Sequence, residues 1–594
     1  MVFCDTDISY KRPFGAVTTG EPVRYRLKLT GVYESANMMM WRDGHDSPSL
    51  FPMSAISGGF EIEHTFDEEG IYFYCFALSD GSYIHRNACI EPTFGRDWTA
   101  FQQTVFCADY IQPKGYAGGV MYQIFPDRFS IGGGVCDTPF SDRKVHSDLN
   151  DVPDFRLDAD GIMRNNDYFG GNLKGIEQKI PYLNELGVTC IYLNPICESH
   201  SNHRYDTASY MRLDPMLGTR RDFTDLCETA HANGIKIVLD GVFSHTGADS
   251  EYFNKYGRYD TVGAYQSKDS RYYSWFKFED FPEKYRGWWG FDTLPEIIEE
   301  DESFVDYVCG RGGVIDHWLN LGADGFRLDV ADELPDAFIE QIRTAVKRNG
   351  ADKILIGEVW EDASNKVSYG SRRRFLYGKE LDSVMNYPFR GAIIDFVRHV
   401  NAGEFMLRVN GIVSNYPKPM LDLMMNMLST HDTERAINAL VVGSAEGMDR
   451  EHQHKVVIED GEYLRGVEML KLATVLQFTL PGIPCIYYGD EIGMQGMRDP
   501  FNRMFMRWDG IDQNVLGFFK EMSKIRRSHT AFADGDFVPV YASDGVVAFL
   551  RKNRDETVLV ALNRSDETRT ITAGNGWPPV TLEPWKFTIV DSGQ

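Results

Sequence analysis

Several things are missing from this 594-residue chain, and each absence closes off a class of protein. No stretch approaches the roughly 18 uninterrupted apolar residues of a membrane span. The first residues, MVFCDTDISYKRPFG, lack the basic, then apolar, then small pattern of a secretory signal. The expectation is a soluble, cytoplasmic protein. The ten cysteines, from Cys4 to Cys485, include no CxxC pair, and several fall inside apolar runs, so reduced structural thiols are expected in place of a disulfide framework. Positive charge is in deficit, with 61 Lys and Arg against 87 Asp and Glu and a formal net charge of −26. Such a chain repels nucleic acid and anionic membrane, which leaves an uncharged partner. Internal repeats and low-complexity segments are absent too.

What is present is 43% hydrophobic residues, enough for a large core, on a length that suggests about three domains. Residues 1–115 carry short alternating runs such as VRYRLKL and GIYFYCFAL between Gly, Asp and Ser turns, the pattern of an N-terminal antiparallel β-sandwich. After the joint QPKGYAGG the period changes. Eight apolar strand segments (GGVMYQIF, VTCIYLN, IKIVLD, GFRLD, ILIGE, LDSVMN, NMLST, IPCIYY) alternate with amphipathic stretches such as FIEQIRTAVKR. This predicts an α/β fold, a (β/α)8 TIM barrel over 116–245 and 301–529. Residues 246–300, following the third strand, are too long and too aromatic for an ordinary loop and are expected to form a lobe overhanging the site. A C-terminal all-β domain is expected over 530–594.

Three acids close barrel segments: Asp329 after GFRL, Glu358 after ILIG, and Asp432 just past NMLSTH. Barrel enzymes carry their chemistry at these carboxyl ends. Cleaving an acetal between sugars needs one protonated carboxyl and one ionised carboxylate, because a cationic ring departs from an oxygen that must be protonated. Asp329 and Glu358 end neighbouring strands, which lie about 5 Å apart, near the roughly 5–5.5 Å separation of a retaining double displacement. Asp329 is therefore the expected nucleophile and Glu358 the acid/base. Arg327, two residues before Asp329 and on the same strand face, is expected to keep Asp329 ionised, while Glu358 should carry a raised pKa. Asp432 with His431, and His245 after the third strand, are expected to hold sugar hydroxyls. A single strand-end acid is more often a cap or a loop organiser, but three of them with an Arg and two His on successive strand ends are not.

These segments resemble the signature blocks of the α-amylase superfamily, glycoside hydrolase family 13. DGVFSH (240–245), GFRLDVADE (325–333), GEVWED (357–362) and LSTHDTER (428–435) follow its four blocks in order, and YQIFPDRF, SNHRYDTASY, GIPCIYYGDEIGM and DPFNR match beside them. VADE, TLPEI (293–297) and the leading β-domain look like the neopullulanase, cyclomaltodextrinase and maltogenic amylase branch. The resemblance implies hydrolysis of α-1,4 and some α-1,6 links in pullulan, maltodextrins or cyclodextrins with retention, and a homodimer. It makes Asp329, Glu358 and Asp432 nucleophile, acid/base and transition-state stabiliser, supported by Arg327, His245 and His431. Tyr205 stacks on the sugar, and His203, Asp206, Asp499 and Arg503 are further substrate contacts. Two rivals remain open: a glucan transferase or branching-type enzyme using the same intermediate, and a non-catalytic barrel like those of amino-acid transporter subunits, against which the retained acids speak.

Departures from the pattern matter. Ser244 stands where the family usually has Asn, and Asp332 where the branch usually shows Asn. YQIFPDRF is followed by SIGGG in place of an Asn/Asp-rich calcium segment, and Asn172 stands where Asp is common, so neither calcium nor any other cofactor is expected. In the lobe, most of Tyr272, Tyr273, Trp275, Phe276, Trp288, Trp289 and Phe291 should form its own core, with one or two left for sugar. Trp360 and Glu333 are expected on the leaving-group side. Trp41 and Trp98 are expected to pack, not to bind starch.

Overall fold

The computed structural model describes residues 2–45, 47–86, 100–133, 142–158, 161, 163–574 and 577–591, with the backbone alone at 92–95. Trp98 and Gly134 lie outside the described residues.

The N-terminal alternation becomes two facing sheets. Along Pro22–Lys28 every second residue (Val23, Tyr25, Leu27) is buried, because side chains on a strand point alternately to either face. They meet Tyr74, Phe76 and Phe101 of the second sheet, with Phe3 of the leading segment, in one aromatic core. Trp41 is half-buried against Phe73, on the side where Arg372 of the barrel also packs.

The barrel strands are Met121–Ile124, Cys190–Leu193, Lys236–Gly241, Gly325–Leu328, Ile354–Gly357, Ser383–Val384, Met425–Met427 and Ile483–Tyr487. All pair in parallel with their neighbours, and a parallel Met385–Met425 bridge between the sixth and seventh closes the ring. They are buried on both faces, which explains their uninterrupted apolar sequence. Met121, Tyr192, Val238, Ile356, Met427 and Cys485 fill the interior, so the barrel is a packed core and its ligand must sit on a rim. Helices cover the outside. One of them, Arg220–Ala232, starts on a Thr219–Asp222 capping box, and another, Asp336–Arg348, buries Phe338, Ile339, Ile342 and Val346.

The lobe contains little regular structure and is held by its rings. Tyr272, Trp275 and Phe276 are buried with Tyr252 and Phe253, in edge-on contacts such as Phe253–Phe276 at 4.9 Å. Trp289 and Phe291 are exposed. A short bridge from His245 to Glu296 ties the lobe back to the end of the third strand, and another, Phe276 to Ile297, closes the lobe on itself. After the helix Gln513–Ser528 the tail folds as a four-stranded antiparallel sheet, from Asp536–Ser543 to Lys586–Asp591, with a separate two-stranded pair. Among the described residues no helix is long and apolar enough to cross a membrane.

Candidate active site

The fourth and fifth strands pair Leu328 with Gly357, so the next residue on each, Asp329 and Glu358, emerges side by side at the carboxyl rim. Their amides are pinned in turn: Asp329 N–H donates to Gly241 O and Glu358 N–H to Leu328 O, each at 3.0 Å. Arg327 is fully buried beneath them. Its Nη1 reaches Asp329 at 2.9 Å and Asp240 at 2.7 Å, and its Nη2 reaches Glu358 at 2.6 Å. One guanidinium therefore serves three carboxyl groups. Asp240 went unremarked in the sequence although it lies in the DGVFSH block. It also accepts the Tyr192 and Tyr205 hydroxyls, at 2.6 and 2.8 Å, and so fixes the plane of the guanidinium.

Donors are distributed unevenly over the two acids. Glu358 accepts from Arg327, from the Val330 amide at 3.0 Å and from the Trp360 indole at 3.0 Å. Val330 adopts a φ of 38°, a costly choice for a β-branched residue, and it is this turn past the nucleophile that carries its N–H to the acid. Asp329 receives Arg327 alone among side chains. Burial raises the Asp329 carboxyl well above its ordinary value; Arg327 opposes the rise, and Glu358, Asp240 and Asp432 add to it. Arg327 does not by itself keep Asp329 ionised in the free site. Asp329 titrates as part of a coupled group.

Asp432 sits across the rim, with Oδ1 at 3.3 Å from Arg503 and Oδ2 at 3.1 Å from His431. Burial and then Glu358 raise it to about 7, against Arg503 and Arg327. Arg503 also pairs with Asp499 at 2.9 Å and donates to the His431 carbonyl. The Gln123 amide nitrogen lies 2.9 Å from His431 Nδ1, and since that group can only donate, His431 carries its hydrogen on Nε2, facing Tyr205 and Asp432. Burial, with Arg503 and Arg327, holds His431 well below its usual pKa, so it is neutral. The Tyr205 ring lies parallel to His431, centroids 5.3 Å apart. His245 is pushed down to about 4 by burial and bonds Ser244 through Nδ1 at 3.0 Å, with its Nε2 buried. His203 and Asp206 lie in the same region but serve the loop. Ser201 bonds His203, and Asp206 accepts the hydroxyls of Ser199 and Ser201.

Trp360 stacks on Tyr387 at 3.9 Å while holding Glu358. Glu333 accepts both the Trp288 and the Trp289 indole N–H, at 2.6 and 2.7 Å, so it organises the lobe's rings in addition to bordering the site. A cleft of about 700 Å³ opens beyond it, lined by Trp288, Trp289, Glu296, Glu299, Glu333 and Tyr369 among others.

Where the resemblance implies a calcium loop, the described side-chain oxygens are already engaged by protein donors. Asn172 Oδ1 accepts from Gly132 and Gly175 amides and its Nδ2 donates back to Gly132 O, while both Asp127 oxygens are taken by backbone amides and Arg128. A Cβ on Gly132 would meet Gly175 N at 2.5 Å, so the two backbone segments are in close approach there. Among the described residues no group of three or more His, Cys, Asp or Glu side chains is arranged for a metal.

Comparison with known proteins agrees with this geometry. Residues 123–534 match the α-amylase catalytic domain. An amylopullulanase of Thermoanaerobacterium saccharolyticum is 36% identical over 642 residues, covering 95% of this chain and 48% of that protein. A cyclomaltodextrinase of Thermoanaerobacter pseudethanolicus is 33% identical over 478 residues, covering 78% of this chain and 73% of the relative. The solved type III pullulan hydrolase from Thermococcus kodakarensis aligns over 99% of both chains with a TM-score of 0.69 at 26% identity. The chain spans less than half the length of the amylopullulanases it matches.

Proposed function

The chain belongs to the α-amylase family, and from that premise we propose that it is a retaining α-glucan hydrolase, cleaving α-1,4 and some α-1,6 glucosidic bonds in pullulan, maltodextrins or cyclodextrins. The observation that carries this reading is the pair of carboxyl groups on adjacent strand ends, Asp329 and Glu358, bonded to the two terminal nitrogens of one guanidinium. In the first step an Asp329 oxygen attacks the anomeric carbon, the glucosidic bond breaks, and Glu358 gives a proton to the departing oxygen. In the second, Glu358 takes a proton from water, the water oxygen bonds the anomeric carbon, and the Asp329 ester is released. Arg327 touches both oxygens and stabilises whichever is bare. Asp432 and the Nε2 of His245 take ring hydroxyls.

Names borne by relatives and solved neighbours, amylopullulanase, cyclomaltodextrinase and pullulan hydrolase, support an α-glucan substrate. The test is the product profile on pullulan. Panose reports α-1,4 cleavage and maltotriose α-1,6 cleavage; longer oligosaccharides or new branch points would instead mark a glucan transferase, in which a sugar hydroxyl takes the place of water. Assembly as a homodimer is part of the same reading, and a monomeric mass at micromolar concentration would contradict it.

A further inference from the structure

The hairpin Val367–Ser368/Ser371–Arg372, on the loop after the fifth barrel strand, turns on Tyr369 and Gly370, with φ of 50° and 79°. A two-residue turn with both central residues left-handed favours Asn-Gly or Gly-Gly. Tyrosine is strained there, and its ring recovers nothing by packing, because Tyr369 is 75% exposed. It lines the cleft beyond Glu333. So does Trp289, likewise at a left-handed φ of 51°, 76% exposed, and steered by its indole bond to Glu333. Two strained, exposed rings on different loops thus share one cleft. That cleft adjoins the site, since its lining includes Ser244, bonded to His245, and Glu333, four residues past Asp329.

The hairpin is held from two directions. Toward the site, Arg373 donates to the carbonyl oxygens of Asp332 and Leu334 and pairs with Asp336 at 2.7 Å, while Ser368 donates to Asp332 O at 2.8 Å, which fastens it to the loop following the nucleophile. From the other direction the N-terminal sandwich grips it. Arg372 forms a two-pronged ion pair with Asp43, at 3.0 and 3.2 Å, and lies over the Phe73 ring. Gln102 bonds Ser364 at 3.1 Å and Asn365 at 3.0 Å, just before the hairpin. A planar pair of this kind fixes direction as well as distance.

Resting on the reading of the site as α-glucan-cleaving, we propose that Tyr369 and Trp289 are stacking platforms for glucose units beyond the bond being cut, and that Asp43 of the N-terminal sandwich is a positioning residue that holds the Tyr369 hairpin in place through Arg372. The amino-terminal domain thereby sets chain-length preference within its own subunit. The test compares KM for maltoheptaose with KM for p-nitrophenyl α-maltoside, whose small aryl group ends short of the cleft, in the full chain and its Tyr369→Ala, Asp43→Ala, double and Lys379→Ala variants. Lys379 makes a different interdomain pair, with Glu69 at 2.9 Å, and controls for loosened docking. Tyr369→Ala and Asp43→Ala should each raise the maltoheptaose KM about three- to tenfold relative to the maltoside KM, with kcat following neither. The double variant should be no worse than Tyr369→Ala, and Lys379→Ala should leave the ratio as it is. An unchanged ratio in Tyr369→Ala overturns the platform. A changed ratio there but not in Asp43→Ala overturns the positioning role, as does an equal change in Lys379→Ala. If the unaltered protein turns over neither substrate, the α-glucan reading itself fails and takes the inference with it.

Discussion

The two ends of the barrel each bury an arginine, and they treat it in opposite ways. At the carboxyl end Arg327 is surrounded by Asp240, Asp329 and Glu358; burial acts to lower its pKa, but Asp240 and Glu358 overcome it and hold the guanidinium far up. At the amino end Arg526 donates only to the carbonyl oxygens of Gly119, Phe478, Gly482 and Phe532, and burial with Arg551 nearby pushes it down to about 9. One end crowds negative charge around a cation and leaves a proton to be shared. The other satisfies a cation with neutral dipoles and has nothing to exchange. Chemistry belongs to the first arrangement and architecture to the second.

The largest effect that could break this contrast lies at the nucleophile. Asp329→Asn should lower kcat by at least about a thousandfold while maltodextrin still binds, because only the transition state needs the covalent oxygen. Steady-state kinetics with a binding titration would check both halves. Next comes Asp240→Asn, which takes a charge partner from Arg327 without touching substrate. We expect kcat to fall about 10- to 100-fold, with a smaller change in KM, since a misaligned guanidinium no longer steadies the acids. At the opposite end, Arg526→Met should leave kcat/KM unaltered but lower the thermal midpoint, at a cost of about 2–4 kcal/mol for the stranded carbonyls. A loss of turnover at full stability would erase the distinction between the two ends.

The smallest expected effect concerns pH. Asp432 titrates near 7 in the folded protein and near the ordinary 3.8 when unfolded, so the native state binds more protons between those values. Stability contributed by this group is complete below about pH 4 and is lost as pH rises through 7. Asp432→Asn should therefore be more stable than the unaltered protein at pH 7.5, by about 1–2 kcal/mol given partial exposure, with the gain shrinking as pH falls toward 4. Thermal melts across that range would show it; a variant less stable at pH 7.5 would reverse the sign of the argument.

Much of the catalytic end could be read in the sequence because a buried parallel strand announces itself. Eight apolar runs marked the eight barrel strands, and the polar residue ending each run marked the rim, which is how Asp329, Glu358 and His245 stood out. Asp240 closes IKIVLD in the same manner but was overlooked, since the reading of its block passed on to His245. The crowding of donors on Glu358 was not legible at all. It depends on the Val330 amide and the Trp360 indole converging on Glu358, and a left-handed valine is a product of tertiary constraint. Glu333 stood out as a neighbour of the acid/base, yet its grip on Trp288 and Trp289 comes from a lobe whose path follows no period. The Tyr369 hairpin carries no sequence signal either, for Tyr-Gly is a poor match to the turn it forms.

The measurement that bears most directly on the paired acids is the anomeric configuration of the first product, followed by proton NMR in the opening minutes of maltoheptaose or pullulan cleavage, before mutarotation. Asp329 and Glu358 acting by double displacement predict the α-anomer. A nascent β-anomer would mean a single displacement by water, and Asp329 could not then be the covalent nucleophile.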